Sequence, residues 1–99
     1  MITIIRSFTA MPGKASEALA VAKEVATIYK RVNGRDLTVV NAIGGNPHEF
    51  GYLSQVDSYA HVQEGLAKAL ADTEFRACQK KFEPLVVPGS YRDTIWGHV

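Results

Sequence analysis

Arg6 is the residue whose position most suggests chemistry. It alternates with Ile4 and Phe8 along a segment rich in β-branched and aromatic residues, so a strand would project it from an otherwise apolar face. Desolvating a guanidinium without a partner is costly, so Arg6 must meet an anion. Either it binds the carboxylate or enolate of a ligand, or it forms an internal ion pair. The candidate internal partners are Asp93, Glu49 and Asp57.

Four further polar or amphipathic residues lie inside predicted strands: Asn41, Tyr52, Ser54 and Asp93. If they face the same side as Arg6, they could orient a small ligand. Tyr52 could donate a hydrogen bond or act as a weak acid, although a buried tyrosine commonly packs with its hydroxyl satisfied. His61 is either a base near neutral pH or an unspecialised helix histidine. The predicted ligand-binding residues are Arg6, Phe8, Asn41, Tyr52 and His61.

The sequence gives no sign of metal, nucleotide or thiol chemistry. No histidines and carboxylates show metal-ligand spacing, and no phosphate loop, dinucleotide fingerprint or nucleophile elbow occurs. Cys78, the single cysteine, shares a predicted helix face with Phe75 and Phe82, which favours core packing. We therefore expect no metal and no cofactor, and no catalytic residue is identified.

Composition restricts the class of protein further. The 99 residues suit one domain, residues 1–99, and their net charge of +1 is spread along the chain without a basic stripe. We expect no nucleic-acid partner. No apolar run approaches the roughly 20 residues that span a bilayer, and the first residues do not resemble a signal peptide. A cytoplasmic protein without a membrane segment is expected.

Hydrophobic periodicity and turn residues divide the chain into seven elements. Asp57 or Ser58 is expected to cap the second helix, and Asp72 or Thr73 the third. The predicted elements are a strand at Ile2–Thr9, a helix at 14–32, strands at 37–43 and Glu49–Val56, helices at Tyr59–Ala71 and 74–82, and a strand at 91–97.

The order β-α-β-β-α-α-β predicts an α+β, ferredoxin-like fold with helices on one face of a four-stranded antiparallel sheet. The second strand is apolar on both sides, with Leu37, Val39 and Ile43 on one and Val40 and Ala42 on the other. A sheet of this kind needs a cover on each face. A second copy of the chain is the simplest cover for the face without helices, and a domain this small benefits from the added burial.

Three local patterns carry a family resemblance. The first strand ends with an arginine, an aromatic residue and a Pro-Gly-Lys turn, the short helix opens with Asp-x-Glu-Phe, and the chain closes with YRDTIWGHV. In this order the patterns resemble the dimeric α/β barrel superfamily, in particular its NIPSNAP-like and antibiotic-biosynthesis-monooxygenase-like small domains. The residues concerned are Arg6, Phe8, Pro12, Gly13, Lys14, Asp72, Glu74 and Phe75.

The resemblance implies a homodimer with a ligand pocket between sheet and helices. The superfamily includes cofactor-free quinone-forming monooxygenases, haem-degrading enzymes, isomerases, dehydratases and proteins without known activity, so fold alone names no reaction. Haem degradation is disfavoured, because the haem-degrading relatives use an Asn, a Trp and a His around the pocket, and Trp96 lies in the last strand. Trp96 is expected in the core or a dimer interface.

Three functional hypotheses follow. The first is a small homodimer that acts on an organic ligand as a cofactor-independent monooxygenase or isomerase. The second is a non-catalytic ligand-binding or stress-associated dimer module. The third is a purely structural dimer in which the polar strand residues are internal ties.

Overall fold

The computed structural model describes all 99 residues and contains the seven elements in the predicted order. A short 3-10 helix, Glu83–Leu85, follows the last α-helix. The strands and helices are β1 (Ile2–Thr9), α1 (Ala15–Asn33), β2 (Thr38–Asn41), β3 (Glu49–Val56), α2 (Tyr59–Ala71), α3 (Thr73–Phe82) and β4 (Arg92–Gly97).

The four strands form one antiparallel sheet in the order β2-β3-β1-β4. β1 lies between β3 and β4, so its residues Ile2 to Ser7 have a neighbour on both sides. Arg6 lies opposite Tyr52 of β3 and opposite Asp93 of β4. Because directly paired residues project to the same face, the register brings these three side chains together. The α+β, ferredoxin-like fold class predicted from the sequence is confirmed.

The strand predicted at 37–43 is shorter in the structure. β2 spans only Thr38–Asn41, although the N–H of Ala42 still donates to the carbonyl of Glu49 at 2.9 Å. Ile43 is fully exposed and belongs to the turn, where Gly45 takes a φ of 76°. The prediction relied on the hydrophobic residues alone, and it therefore extended the strand past the point where the backbone turns. The helices and β4 differ from prediction by one residue at most at each end.

One predicted helix cap forms and the other does not. The Oδ1 of Asp72 accepts a 2.9 Å hydrogen bond from the N–H of Phe75 at the start of α3. Ser58 occupies the cap position of α2, but its hydroxyl makes no hydrogen bond to the helix backbone. Instead its Oγ lies 3.4 Å from Nδ1 of His61. The first turn of α2 is therefore left without the side-chain cap that the sequence predicts.

The core lies between the helices and one face of the sheet. Fully buried alanines at Ala18, Ala22 and Ala69 let the helices approach closely. Phe82 of α3 packs edge-on against Phe8, with ring centroids 5.1 Å apart. The remaining buried apolar residues of this core are Ala10, Val25, Phe50, Tyr52, Phe75, Cys78 and Leu85.

No helix covers the opposite face of the sheet. The register places Ile5, Val40, Leu53 and Trp96 on this open face, since each alternates with residues that face the helices. The Trp96 side chain is 63% exposed, so it is not part of the core. The chain is accordingly a flat two-layer body of 36 × 35 × 20 Å. None of its helices combines the length and the hydrophobicity needed to span a membrane.

Candidate functional site

A partly enclosed cavity of about 290 Å³ lies between the helices and the sheet. Its volume is near the lower end of small-molecule sites, which run from about 300 Å³ upward. Twelve of its sixteen lining residues are hydrophobic. The sheet contributes Ile4, Arg6, Phe8, Tyr52 and Ser54, and the helices contribute Val25, Tyr29, Val62, Leu66, Phe75, Gln79 and Phe82, with Leu37, Glu83, Val86 and Tyr91 completing the wall.

Arg6 lines this cavity and is already paired. Its Nε donates to Oδ1 of Asp93 at 2.9 Å, and its Nη2 donates to Oδ2 at 3.0 Å. The two side chains are only 27% and 18% exposed. The hydrogen bond to Asp93 raises the pKa of Arg6, and the same contact lowers the pKa of the Asp93 carboxyl. Of the two interpretations left open by the sequence, the geometry displays the internal ion pair.

Glu49 and Asp57, the other candidate partners of Arg6, lie elsewhere. Glu49 accepts a 3.1 Å hydrogen bond from Nη2 of Arg92. Asp57 is exposed between β3 and α2 and forms no salt bridge. The choice of Asp93 follows from the sheet register, since it is the acidic residue directly opposite Arg6 on the same face.

Tyr91 completes the Arg6–Asp93 pair at the rim of the cavity. Its hydroxyl donates to Oδ2 of Asp93 at 2.7 Å, and its ring centroid lies 4.6 Å from Cζ of Arg6, a cation–π distance. Burial raises the pKa of the Tyr91 phenol, and its hydrogen bond to Asp93 adds to the effect. Tyr91 was not among the predicted ligand-binding residues. The available signal was its spacing of two from Asp93, which places both on one face of an extended segment.

Tyr52 carries a buried hydroxyl group without a partner. The residue is 8% exposed, and its hydroxyl makes no hydrogen bond within the chain. Burial raises the pKa of this phenol, so the group is protonated at neutral pH. Buried polar atoms in proteins almost always have a partner, so such an exception calls for an explanation. The oxygen is shielded even from water, so it is enclosed by packed side chains and is not exposed to the cavity.

Phe8 forms the aromatic wall between these polar groups. Its ring packs against Tyr52 edge-on at 6.1 Å and against Tyr91 at 5.8 Å. Edge-to-face and tilted contacts at these distances are favourable aromatic geometries. Arg6, Phe8 and Tyr52 are thus three predicted residues that the fold brings together around one cavity.

The other two predicted ligand-binding residues lie outside the cavity wall. Asn41 is the exposed last residue of β2, opposite Phe50 in the sheet, and it is not part of the cavity wall. His61 is half-buried in α2, with its ring beside Ser58, and its carbonyl accepts a 2.9 Å hydrogen bond from Nη1 of Arg35. The positions of these two side chains depend on the path of a loop and on the rotation of a helix, which the sequence does not determine.

Besides Ser54 and Tyr91, the cavity wall contains Tyr29, Gln79 and Glu83, which were not among the predicted ligand-binding residues either. Tyr29 was recognised only as a member of the apolar stripe of α1, and burial raises its pKa. Gln79 and Glu83 follow one another along α3 and the 3-10 helix at a helical spacing of four. Glu83 is exposed and forms no salt bridge. It is therefore an acidic group of the wall whose charge is not neutralised by an ion pair.

Cys78 lies on the same buried face of α3 as Phe75 and Phe82, but it is not part of the cavity wall. It is 4% exposed, and its thiol donates to Oε2 of Glu24 at 3.7 Å. Burial, followed by the charge of Glu24, raises the pKa of the thiol. The core-packing interpretation from the sequence agrees with this position. No group of three or more His, Cys, Asp or Glu side chains is arranged to hold a metal ion.

The sheet order, the helices on one face and the cavity between them define a ferredoxin-like α+β domain. A NIPSNAP domain protein from Burkholderia xenovorans has the same fold, with a TM-score of 0.84 at 16% identity, over 100% of this chain and 95% of that one. A NIPSNAP family protein from Agrobacterium tumefaciens gives a TM-score of 0.84 at 19% identity, over 99% and 92%. An antibiotic biosynthesis monooxygenase gives 0.72 at 12% identity, over 100% and 99%.

These similarities confirm the resemblance stated from the sequence at the level of the fold. No protein-family model matches the sequence, and no curated protein matches it.

Proposed function

We propose that this chain is a small-molecule-binding protein that holds an apolar organic ligand between its sheet and its helices. The observation that carries the proposal is the cavity of about 290 Å³ with its mainly hydrophobic wall. An apolar space of this kind is filled favourably by an apolar ligand, because burial removes hydrocarbon surface from water. Phe8, Tyr52 and Phe82 form aromatic surfaces on which a flat ring can pack.

The cavity argues against a purely structural module. Unfilled apolar space costs stability, since the side chains around it lose packing contacts. A chain of 99 residues has a small core and little stability to spare. Retaining such a space in so small a domain favours occupancy by a ligand.

Turnover of the ligand by a cofactor-independent monooxygenase or isomerase mechanism is the second candidate. This candidate rests on Glu83, an exposed residue of the cavity wall that forms no ion pair and whose carboxylate could accept a proton from a bound ligand. The fold shared with an antibiotic biosynthesis monooxygenase is compatible with this chemistry. Dioxygen uptake with 1-naphthol that Glu83→Gln abolishes would support turnover. Uptake equal in the variant would remove Glu83 from the mechanism.

We also propose that the working unit is a homodimer joined through the open face of the sheet. Ile5, Val40 and Leu53 place apolar side chains on this face, and Trp96 projects from it. A large exposed apolar patch on a small domain favours association. A second copy presents the same apolar surface, as a two-fold interface requires. The ligand cavity lies on the opposite face and stays accessible in such a dimer.

Ligand binding can be tested with N-phenyl-1-naphthylamine, a neutral dye whose fluorescence rises in apolar sites. We expect saturable enhancement with the native protein. Leu66→Trp should abolish it, because Leu66 lines the cavity and the larger ring would fill the space. Leu70→Trp is the matched control, since Leu70 lies on the same helix but is 44% exposed and outside the wall. No enhancement with the native protein, or equal loss in both variants, would overturn the proposal.

A further inference from the structure

We infer that Arg6 gives the cavity one hydrogen-bond donor, its Nη1 group, and that this group binds a neutral carbonyl oxygen on an otherwise apolar ligand. The inference deepens the proposed function and rests on it. It differs from both interpretations left open by the sequence, because Arg6 keeps its internal ion pair and contacts the ligand at the same time.

Arg6 has donors that its ion pair does not use. A guanidinium carries five N–H groups on three nitrogens, and Asp93 engages only Nε and Nη2. Nη1 makes no hydrogen bond within the chain. The Tyr52 hydroxyl is the only side-chain nitrogen or oxygen that is both enclosed and without a partner. Nη1 of Arg6, which also lacks a partner, is therefore accessible.

The sheet register directs this free donor into the cavity. Nε and Nη2 form one edge of the planar guanidinium, and this edge faces Asp93 on the edge strand β4. Nη1 projects from the other side, away from β4. The neighbour of Arg6 on that side is Tyr52 of β3, a residue of the cavity wall, whereas Asp93 is not part of the wall. Nη1 therefore faces the space that Val62 and Leu66 of α2 enclose from above.

The charge of Arg6 acts across the cavity. Tyr29 lines the cavity from α1, and burial raises the pKa of its phenol. The positive charges of Arg35 and, to a smaller extent, Arg6 oppose this rise of the pKa, because they favour the phenolate. Asp93 therefore does not completely screen the guanidinium on the side that faces the helices.

A neutral acceptor suits this donor better than an anion. Asp93 already balances the charge of Arg6, and the Tyr91 ring covers the guanidinium at 4.6 Å. A carboxylate bound at Nη1 would lie close to the Asp93 charge in a mainly apolar space, so one negative charge would be partly buried without a counter-charge. A carbonyl oxygen accepts from Nη1 without adding charge. A hydrogen bond from a charged donor is also stronger than one between neutral groups.

Three naphthalenes of nearly the same shape test the acceptor. 2-Acetylnaphthalene carries a neutral carbonyl, 2-isopropenylnaphthalene replaces its oxygen with a CH₂ group, and 2-naphthoate carries an anion. Each is titrated into the full chain labelled with ¹⁵N, and the amides of Val62 and Leu66 report binding in the cavity. We expect the ketone to bind about tenfold more tightly than its hydrocarbon isostere, and 2-naphthoate to bind more weakly than the ketone.

Arg6→Lys assigns the preference to Nη1. A lysine ammonium can keep the ion pair with Asp93, but it is a compact charge without a donor group that projects away from the carboxylate. The order of the ketone and its isostere should therefore reverse, since a carbonyl buried without a partner loses its bonds to water. Arg92→Lys is the matched control, because Arg92 lies on the open face of the sheet and pairs with Glu49. It should retain the native order of affinities.

The resonances of Arg6 give a second readout, which uses the native protein and does not depend on the folding of Arg6→Lys. When the ketone binds, the Nη1 resonance should shift more than the Nε resonance, because Nη1 gains the ligand while Nε keeps Asp93. A larger shift at Nε would show that the ligand displaces Asp93, which would overturn the inference.

The outcomes distinguish the inference from the proposed function. Equal or tighter binding of the isostere to the native chain, or a preference for the ketone that survives in Arg6→Lys, would overturn the inference and leave the ligand-binding function standing. Tightest binding of 2-naphthoate would overturn it in favour of an anion site. If none of the three compounds moves the amide of Val62 or Leu66, both the inference and the proposed function fail.

Discussion

Arg6 and Asp93 lie directly opposite each other on neighbouring strands and join through two hydrogen bonds of 2.9 and 3.0 Å. The two residues are far apart in sequence, because β1 and β4 are the first and last strands of the chain, but these strands are neighbours in the sheet. It ties the edge strand to the centre of the sheet. It also leaves the wall of the cavity without net charge at the point where the sequence places a cation.

This pair should make stability depend on pH. The folded-state pKa of Asp93 is lowered by the hydrogen bond from Arg6, whereas the unfolded chain has a value of about 3.9. Between the two values the unfolded state binds more protons, so the stabilisation is present above about pH 4 and is lost as the pH falls. Asp93→Asn should lower the free energy of unfolding by about 1 kcal/mol at pH 7 and by much less at pH 3. Urea denaturation at both pH values measures the difference.

The control for this prediction is Asp36→Asn. Asp36 pairs with Lys30 at 2.9 Å, but both side chains are mostly exposed, and such pairs contribute little. Its unfolding curve should superpose on the native one at both pH values. An equal loss at pH 3 and pH 7 in Asp93→Asn would show that the ion pair is not the source of the effect.

Gly51 should tolerate no side chain. It lies opposite Ser7 in the sheet, and a Cβ there would overlap the carbonyl oxygen of Arg6 and lie 2.9 Å from Cα of Ser7. Because the obstacle is backbone, Gly51→Ala should cost about 3 kcal/mol or more, measured by thermal or urea unfolding. Gly97→Ala is the matched control in β4, since nothing lies within 4 Å of its Cβ position. A change in Gly51→Ala as small as that of the control would contradict the close approach of β1 and β3.

The Cys78 thiol should react slowly with thiol reagents in the folded protein. Burial and the charge of Glu24 both raise its pKa, and only the thiolate reacts rapidly. We expect Ellman's reagent to modify the native protein at least about tenfold more slowly than the unfolded chain. Glu24→Gln should accelerate the reaction roughly threefold, and Lys81→Gln should slow it, because Lys81 lowers the pKa of the thiol. The same change of rate in both variants would contradict the electrostatic explanation.

Trp96 provides the test of the proposed dimer. Trp96→Lys would place a charge on the open face of the sheet, so the sedimentation coefficient should shift from that of a dimer toward that of a monomer. Ile43→Lys is the control, since Ile43 is fully exposed in a turn and lies off this face. Its dimer should be unaffected. A native protein that sediments as a monomer at micromolar concentration would refute the dimer itself.

The fold was largely predictable because its signals are local. The apolar stripe of α1, the turn residues between strands and the Asp72 cap each act over a few residues, and together they give the order of elements. The errors are local too. Ile43 extended the predicted second strand into the turn, and Ser58 occupies its cap position without making the expected hydrogen bond.

The site was only partly predictable. Alternation along β1 placed Arg6 and Phe8 on one face, and Tyr52 was included as a strand residue that could face the same side. All three residues line the cavity. Tyr91 was missed, although it opened the predicted last strand, because it acts through Asp93 rather than through a motif of its own. Asn41 and His61 were predicted but lie outside the wall. The position of Asn41 depends on where β2 ends, and that of His61 on the rotation of α2 about its axis.

The sequence by itself determined that Arg6 projects from an apolar strand face and must meet an anion, because alternation and the cost of desolvating a charge are local physics. Only the tertiary structure decided that the anion is Asp93, because strand register is set by pairing between distant segments. It likewise left the Tyr52 hydroxyl without a partner, since that depends on how three helices pack over the sheet. Local pattern fixed which side chains turn inward, and packing fixed what each of them meets.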